Sequence, residues 1–203
     1  MIGSADEDWL RERWLDLVTP YTSDSFGVHA TWHALYACYS DPRRSYHNLE
    51  HVAALLRLAD QERAQICEPE VVEFAIWFHD AIYDTHARDN EQKSAAWARE
   101  ALEAISVDPR YVDAVEACIL ATQNHALGAA AIADLPLFLD LDLAILGAED
   151  ADYDDYSRRV REEYAWVPQA QYREGRLAVL RRFAERDRLF LTPSMIARFE
   201  ARA

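Results

Sequence analysis

Apolar residues in this chain recur at helical spacing and almost nowhere alternate, which confines it to an all-α fold. Val52, Leu55, Leu56 and Ala59 share one helical stripe, as do Val112, Val115 and Ile119, and Leu177, Leu180 and Phe183. Breaks fall near Asp41-Pro42, at Glu68-Pro69, around Asp108-Pro109, at Gly128, near Gly147 and from Trp166 to Pro168. The residue before a proline avoids the helical region, and glycine ends helices. The spacing therefore predicts a bundle of about seven or eight helices, with no internal repeat. No linker rich in Pro, Gly or Ser divides the 203 residues, so one domain is expected.

Charge and cysteine usage narrow the function. A net charge of −15 argues against a nucleic-acid backbone as partner, since that contact needs clustered Lys and Arg. No apolar run reaches the ~18 residues of a membrane span, and the start MIGSADEDWLRER has no signal-peptide pattern, so a cytoplasmic chain without membrane partners is expected. Nothing in the sequence fixes or forbids an oligomer. Cys38, Cys67 and Cys118 are odd in number, widely spaced and without a CxxC pair, and read as buried thiols. An anionic substrate would need local positive charge. Arg158, Arg159, Arg161, Arg173, Arg176, Arg181 and Arg182 are either a solvated helical face or a set aimed at a phosphate.

The chemistry lies in polar residues that interrupt apolar segments. In SYHNLEHVAALL, His47 and His51 stand four apart and share a face if the helix begins by Tyr46. In FAIWFHDAIYDTH, His79 and Asp80 follow a strongly apolar run, and LPLFLDLDLAILG sets Asp140 and Asp142 among Leu, Phe and Ile. Burying an imidazole or a carboxylate is unfavourable unless it is paired or metal-bound. Neutral nitrogen and anionic oxygen donors together suit a divalent transition metal: Mn, Fe, Co, Ni or Zn. His79 and Asp80 diverge by about 100° on a helix, so an ion beside them needs further ligands from other helices, which His51 and Asp142 can supply. His29 and His33 also stand four apart, but with no third donor nearby they read as a surface or packing pair, and His86 reads as loop surface.

His51, the His79-Asp80 doublet and a later Asp, in an all-α chain, resemble the H…HD…D signature of the HD superfamily of metal-dependent phosphohydrolases. YHNLEH, Tyr46 to His51, resembles the YHNxxH stretch of mammalian-type cyclic nucleotide phosphodiesterases, and HDAIYDT, His79 to Thr85, the HDxxEDT stretch of stringent-response nucleotide hydrolases. Asn90-Glu91…Ser94, Thr122…His125, FLDLDLAILG and Tyr172…Gly175-Arg176 are similar to a stand-alone branch of predicted HD phosphohydrolases, so the likeness spans about residues 40–190.

The resemblance implies an HD-domain helical bundle with His51, His79, Asp80 and Asp142 as metal ligands. It chooses Asp142 over Asp140, which becomes a supporting or alternative ligand. It also implies that His47 protonates the leaving group and that the residues after the doublet assist hydrolysis. Tyr83 stands where the second stretch has Glu, so a carboxylate role passes only to Asp84. Arg176 and His125 are expected to contact substrate phosphate, and His125 is the group that would allow a second ion beside the first. Glu91 is either the acceptor of a ligand imidazole's proton or a first-turn helix charge. The expected activity is hydrolysis of a phosphate ester or anhydride in a small, nucleotide-like phosphorylated molecule by a metal-activated water. The alternative is a catalytically idle HD domain that binds a nucleotide or a partner. An HD-fold di-iron oxygenase would need more His or Asp ligands than His125 provides.

Overall fold

The computed structural model describes residues 3–128 and 131–203, and among these it forms ten α-helices, two short 3-10 turns and no strand. The helices are α1 (Ser4–Val18), α2 (Ser25–Tyr39), α3 (Leu49–Gln61), α4 (Pro69–Phe78), α5 (Asn90–Ala104), α6 (Pro109–Thr122), α7 (Leu135–Leu143), α8 (Asp150–Glu163), α9 (Gln169–Ala184) and α10 (Pro193–Phe199). That exceeds the seven or eight expected, in part because a helix of 7 residues such as α10 is too short to display a period. None of them is long and apolar enough to cross a membrane.

The chain is organised around α4. Its sequence PEVVEFAIWF is apolar nearly all round, as a helix surrounded by others must be. Val71, Val72 and every residue from Phe74 to Phe78 are fully buried, with α3, α5, α6 and α7 packed against it. Pro69 opens α4 at a position where the missing N–H is harmless. The buried Asp134 carboxylate accepts the N–H groups of Cys67 and Glu68 just ahead of it. Trp14 of α1 meets the rings of Phe74, Trp77 and Phe78 edge-on, and Tyr39 of α2 donates to the Trp77 carbonyl at 3.0 Å. The reading of three buried thiols holds only for Cys118; Cys38 is half-buried and Cys67 is exposed in the turn before α4. His29 and His33 lie on the exposed face of α2.

Two features seat α10 against the end of α7. A Cβ on Gly147 would come within 2.5 Å of the Phe199 carbonyl oxygen, so only glycine permits this approach. Asp140, fully buried on α7, accepts hydrogen bonds from the N–H groups of Leu191 and Thr192 and from Thr192 Oγ1. The alternative ligand of the sequence reading is thus an anchor for the chain entering α10. Asp140→Ala is expected to destabilise the fold by about 3 kcal/mol, because three part-buried donors lose their buried acceptor together. In thermal unfolding that is a fall of roughly 6–12 °C, with metal content unchanged; a normal melting temperature with lost metal would reverse the assignment.

Candidate metal centre

Three segments converge where α4 ends. His51 comes from the first turn of α3, His79 caps the C-terminus of α4, Asp80 follows it, and Asp142 lies one residue from the end of α7. His51 Nε2 and His79 Nε2 face each other at 3.2 Å. Asp142 Oδ1 lies 3.4 Å from the first and 3.7 Å from the second, and Asp80 Oδ2 lies 3.1 Å from His79 Nε2 and 4.0 Å from His51 Nε2. Ligand atoms of His51, His79 and Asp142 all fall within 4.8 Å of one another, so this cluster can hold a metal ion.

The donor set fits such an ion. Bonds of ~2.1 Å at tetrahedral or octahedral angles put neighbouring ligand atoms about 3.0–3.4 Å apart, the range of the shortest separations here. His79 Nδ1 lies 2.9 Å from the Ile76 carbonyl, to which it donates, so the Nε2 lone pair is turned to the cluster. The two carboxylates also draw positive charge to the cluster. Burial alone would strip the proton from His79, but Asp80 and Asp142 reverse that and push its pKa up to about 9. Burial works against the carboxylates too, yet His79 holds Asp80, and His125 with His51 holds Asp142, below the usual carboxylate range. His51, buried and next to His79, is pushed down.

His47 lies beside this cluster but not within it. α3 begins at Leu49 with Asn48 as its cap, so His47 precedes the helix and does not share its face with His51 as the sequence spacing proposed. Its Nδ1 is 2.7 Å from Glu163 Oε2, and its ring stacks on Tyr83 at 4.3 Å. Burial opposes a charged imidazole, but Glu163, Asp80 and Asp142 outweigh it and raise the His47 pKa above its ordinary 6.5.

Glu163 escaped the sequence reading altogether. Its side chain has no exposed surface; Oε1 accepts the N–H groups of Tyr46 and His47, while Oε2 meets His47 Nδ1 and the Tyr83 hydroxyl. The signal was present, since Tyr156, Val160 and Glu163 share a helical stripe and a carboxylate there is as anomalous as Asp142 in its own segment. Arg44 was missed as well. It is buried and donates to the carbonyls of His47, Asp80 and Ala81, tying the segment before α3 to the turn after α4.

Asp80, Asp142 and His47 border a cavity of about 560 Å³, with His125, Glu91 and Arg176 also on its wall. His125 Nε2 meets Asp142 Oδ2 at 2.9 Å, so His125 reaches the cluster through Asp142. It does so from the turn after α6, at a φ of +47° that few residues other than glycine adopt, and not from the helical face shared with Cys118 and Thr122 that the spacing proposed. Glu91 is in the first turn of α5, and the His79 proton goes to a backbone carbonyl in its place. Asp84 stays outside. Its side chain is 63% exposed and pairs with the N–H and Nδ1 of His86, closing a loop. His86, exposed as expected, stacks on Trp166 at 3.9 Å.

Compared with protein-family models, curated proteins and solved structures, the chain matches none. What this site does is therefore read from its own residues.

Proposed function

We propose that this chain is an HD-type metal-dependent phosphohydrolase acting on a phosphate ester or anhydride of a small, nucleotide-like molecule. The observation that carries the reading is the 3.2 Å approach of two imidazole nitrogens beside two carboxylates that face a cavity. His51, His79, Asp80 and Asp142 are the residues that would hold a divalent transition ion, whether Mn, Fe, Co, Ni or Zn. When bound, such an ion supplies Lewis acidity, lowering the pKa of water in the site from about 15.7 toward 7.

The chain's own residues bind, orient and move the proton. Arg176 on the cavity wall supplies the fixed positive charge that a phosphate needs in an otherwise acidic protein. Glu163 and Tyr83 hold the His47 ring from its edge and its face. His47 keeps its Nδ1 proton against Glu163 and passes the Nε2 proton to the departing oxygen. Asp84 has no part in this, being turned to solvent and His86.

His47→Ala is expected to lower turnover by about 10²–10⁴-fold, the range of general acid catalysis, and to leave metal content as it was. The check is phosphate release from a panel of monoesters, diesters and anhydrides, with elemental analysis of the same samples. Unchanged turnover across the panel would sink the acid role, and no release by metal-loaded native protein would sink the hydrolase reading.

A further inference from the structure

We infer that the cavity takes a phosphomonoester whose alcohol carries a flat ring, as a nucleoside monophosphate does, and turns away di- and triphosphates. This narrows the phosphohydrolase reading and rests on it.

The first support is charge. Several arginines outside the cavity already have carboxylate partners: Arg159 pairs with Glu50 and Asp155, and Arg158 with Asp155 and Glu162. Arg176, half-buried on α9, is different. Its Nη2 donates to the Tyr156 hydroxyl at 2.8 Å, its guanidinium lies 5.0 Å over the Tyr156 ring, and among the described residues no carboxylate comes within ion-pair distance. A sheltered cation without a counter-ion is unfavourable until an anion arrives, and a guanidinium suits one phosphate in a two-pronged contact. Further phosphates find no second sheltered guanidinium in this space, and Glu91, a carboxylate on its wall with no part in holding the ion, meets them with the opposite sign. Arg182, the other guanidinium on the wall, is exposed to water and screened.

The second support is shape. Beside and beyond the cluster the wall is aromatic: Tyr46, whose ring is 5.0 Å from that of His51, meets Tyr156 edge-on at 4.6 Å, and Tyr164, Tyr172 and Phe183 continue it. A flat ring finds faces and edges to pack on there, which a small aliphatic alcohol does not. The volume of about 560 Å³ falls within the ~300–1,000 Å³ of small-molecule sites.

The third support is α9 itself. None of its residues is buried, and Tyr172, Arg176, Val179 and Phe183, at spacings of four, three and four, line the cavity. The inner stripe of this helix faces the cavity along most of its length and, among the described residues, meets the core only through Phe183.

The test is calorimetric binding of AMP, ATP, glycerol phosphate and adenosine to the full chain, both chelated and manganese-loaded, with phosphate release measured alongside. AMP is expected to bind at least ~10-fold tighter than ATP and than glycerol phosphate, and Arg176→Gln to weaken AMP at least ~10-fold more than adenosine. ATP or glycerol phosphate binding as tightly as AMP overturns the inference, as does no detectable binding of AMP. AMP bound with that preference but never hydrolysed leaves the inference standing and removes the hydrolase. Hydrolysis that favours ATP does the reverse.

Discussion

Replacing Asp142 with alanine is expected to cut phosphate release on the order of 10³-fold or more, a rise of about 4 kcal/mol in barrier. One oxygen of this carboxylate faces both imidazole nitrogens, at 3.4 and 3.7 Å, and the other holds His125 at 2.9 Å. Its loss leaves His51 and His79 with Asp80 as the one remaining carboxylate in the cluster and frees His125. Asp142→Asn keeps the shape and removes only the charge, so it separates a ligand from a spacer. Both variants should keep the helical circular dichroism of the native chain, because the core packs on Leu139, Leu141 and Leu143 of this helix and not on the carboxylate. A variant that hydrolyses at the native rate with saturating metal contradicts the assignment.

Glu163→Ala carries the second large effect, and it falls on folding as well as on rate. Two backbone N–H groups, the His47 ring and the Tyr83 hydroxyl together lose an acceptor whose side chain has no exposed surface. Stranding buried donors and a buried charge is expected to destabilise the chain by roughly 3–5 kcal/mol. Thermal unfolding should then come about 6–20 °C lower, and a drop of under a degree or two would contradict the account.

The pair also sets a pH window. The folded-state pKa of His47 is raised above 6.5, so its contribution to stability is complete below about pH 6.5 and is lost as pH rises through the elevated value. Burial acts to raise the Glu163 pKa, but the bonds from His47 and Tyr46 lower it below 4.5, so its contribution is present above that pH and fades on acidification. Glu163→Gln should therefore flatten the stability lost above pH 6.5 in urea titrations and move the alkaline limb of turnover downward. An alkaline limb that stays in place would mean that Glu163 does not set the charge on His47.

Periodicity made the interior legible where a helix faces a packed core. Val52, Leu55, Leu56 and Ala59 of α3 and Val112, Val115 and Ile119 of α6 are buried as their stripes require. It misled at α9, where Leu177 is 47% exposed, because that stripe borders a cavity and solvent. The cluster was legible for a chemical reason, since His79, Asp80 and Asp142 interrupt apolar segments that had no other use for them. Glu163 shares the stripe of Tyr156 and Val160, but in a helix rich in carboxylates that weak signal is masked by its acidic neighbours. Asp84 illustrates the converse. Its place after the doublet promised a role in the site, but the loop turns it outward to His86, and a motif does not encode the direction of a loop.

The chemistry proposed for this site depends on the binding of a divalent transition ion by His51, His79, Asp80 and Asp142. Its most direct test is elemental analysis of the native chain and Asp142→Ala, purified without added metal and dialysed free of loose ions. About one equivalent of a transition metal is expected in the native chain and close to none in the variant. Traces of many metals in the native chain, or the same equivalent in both proteins, would contradict it.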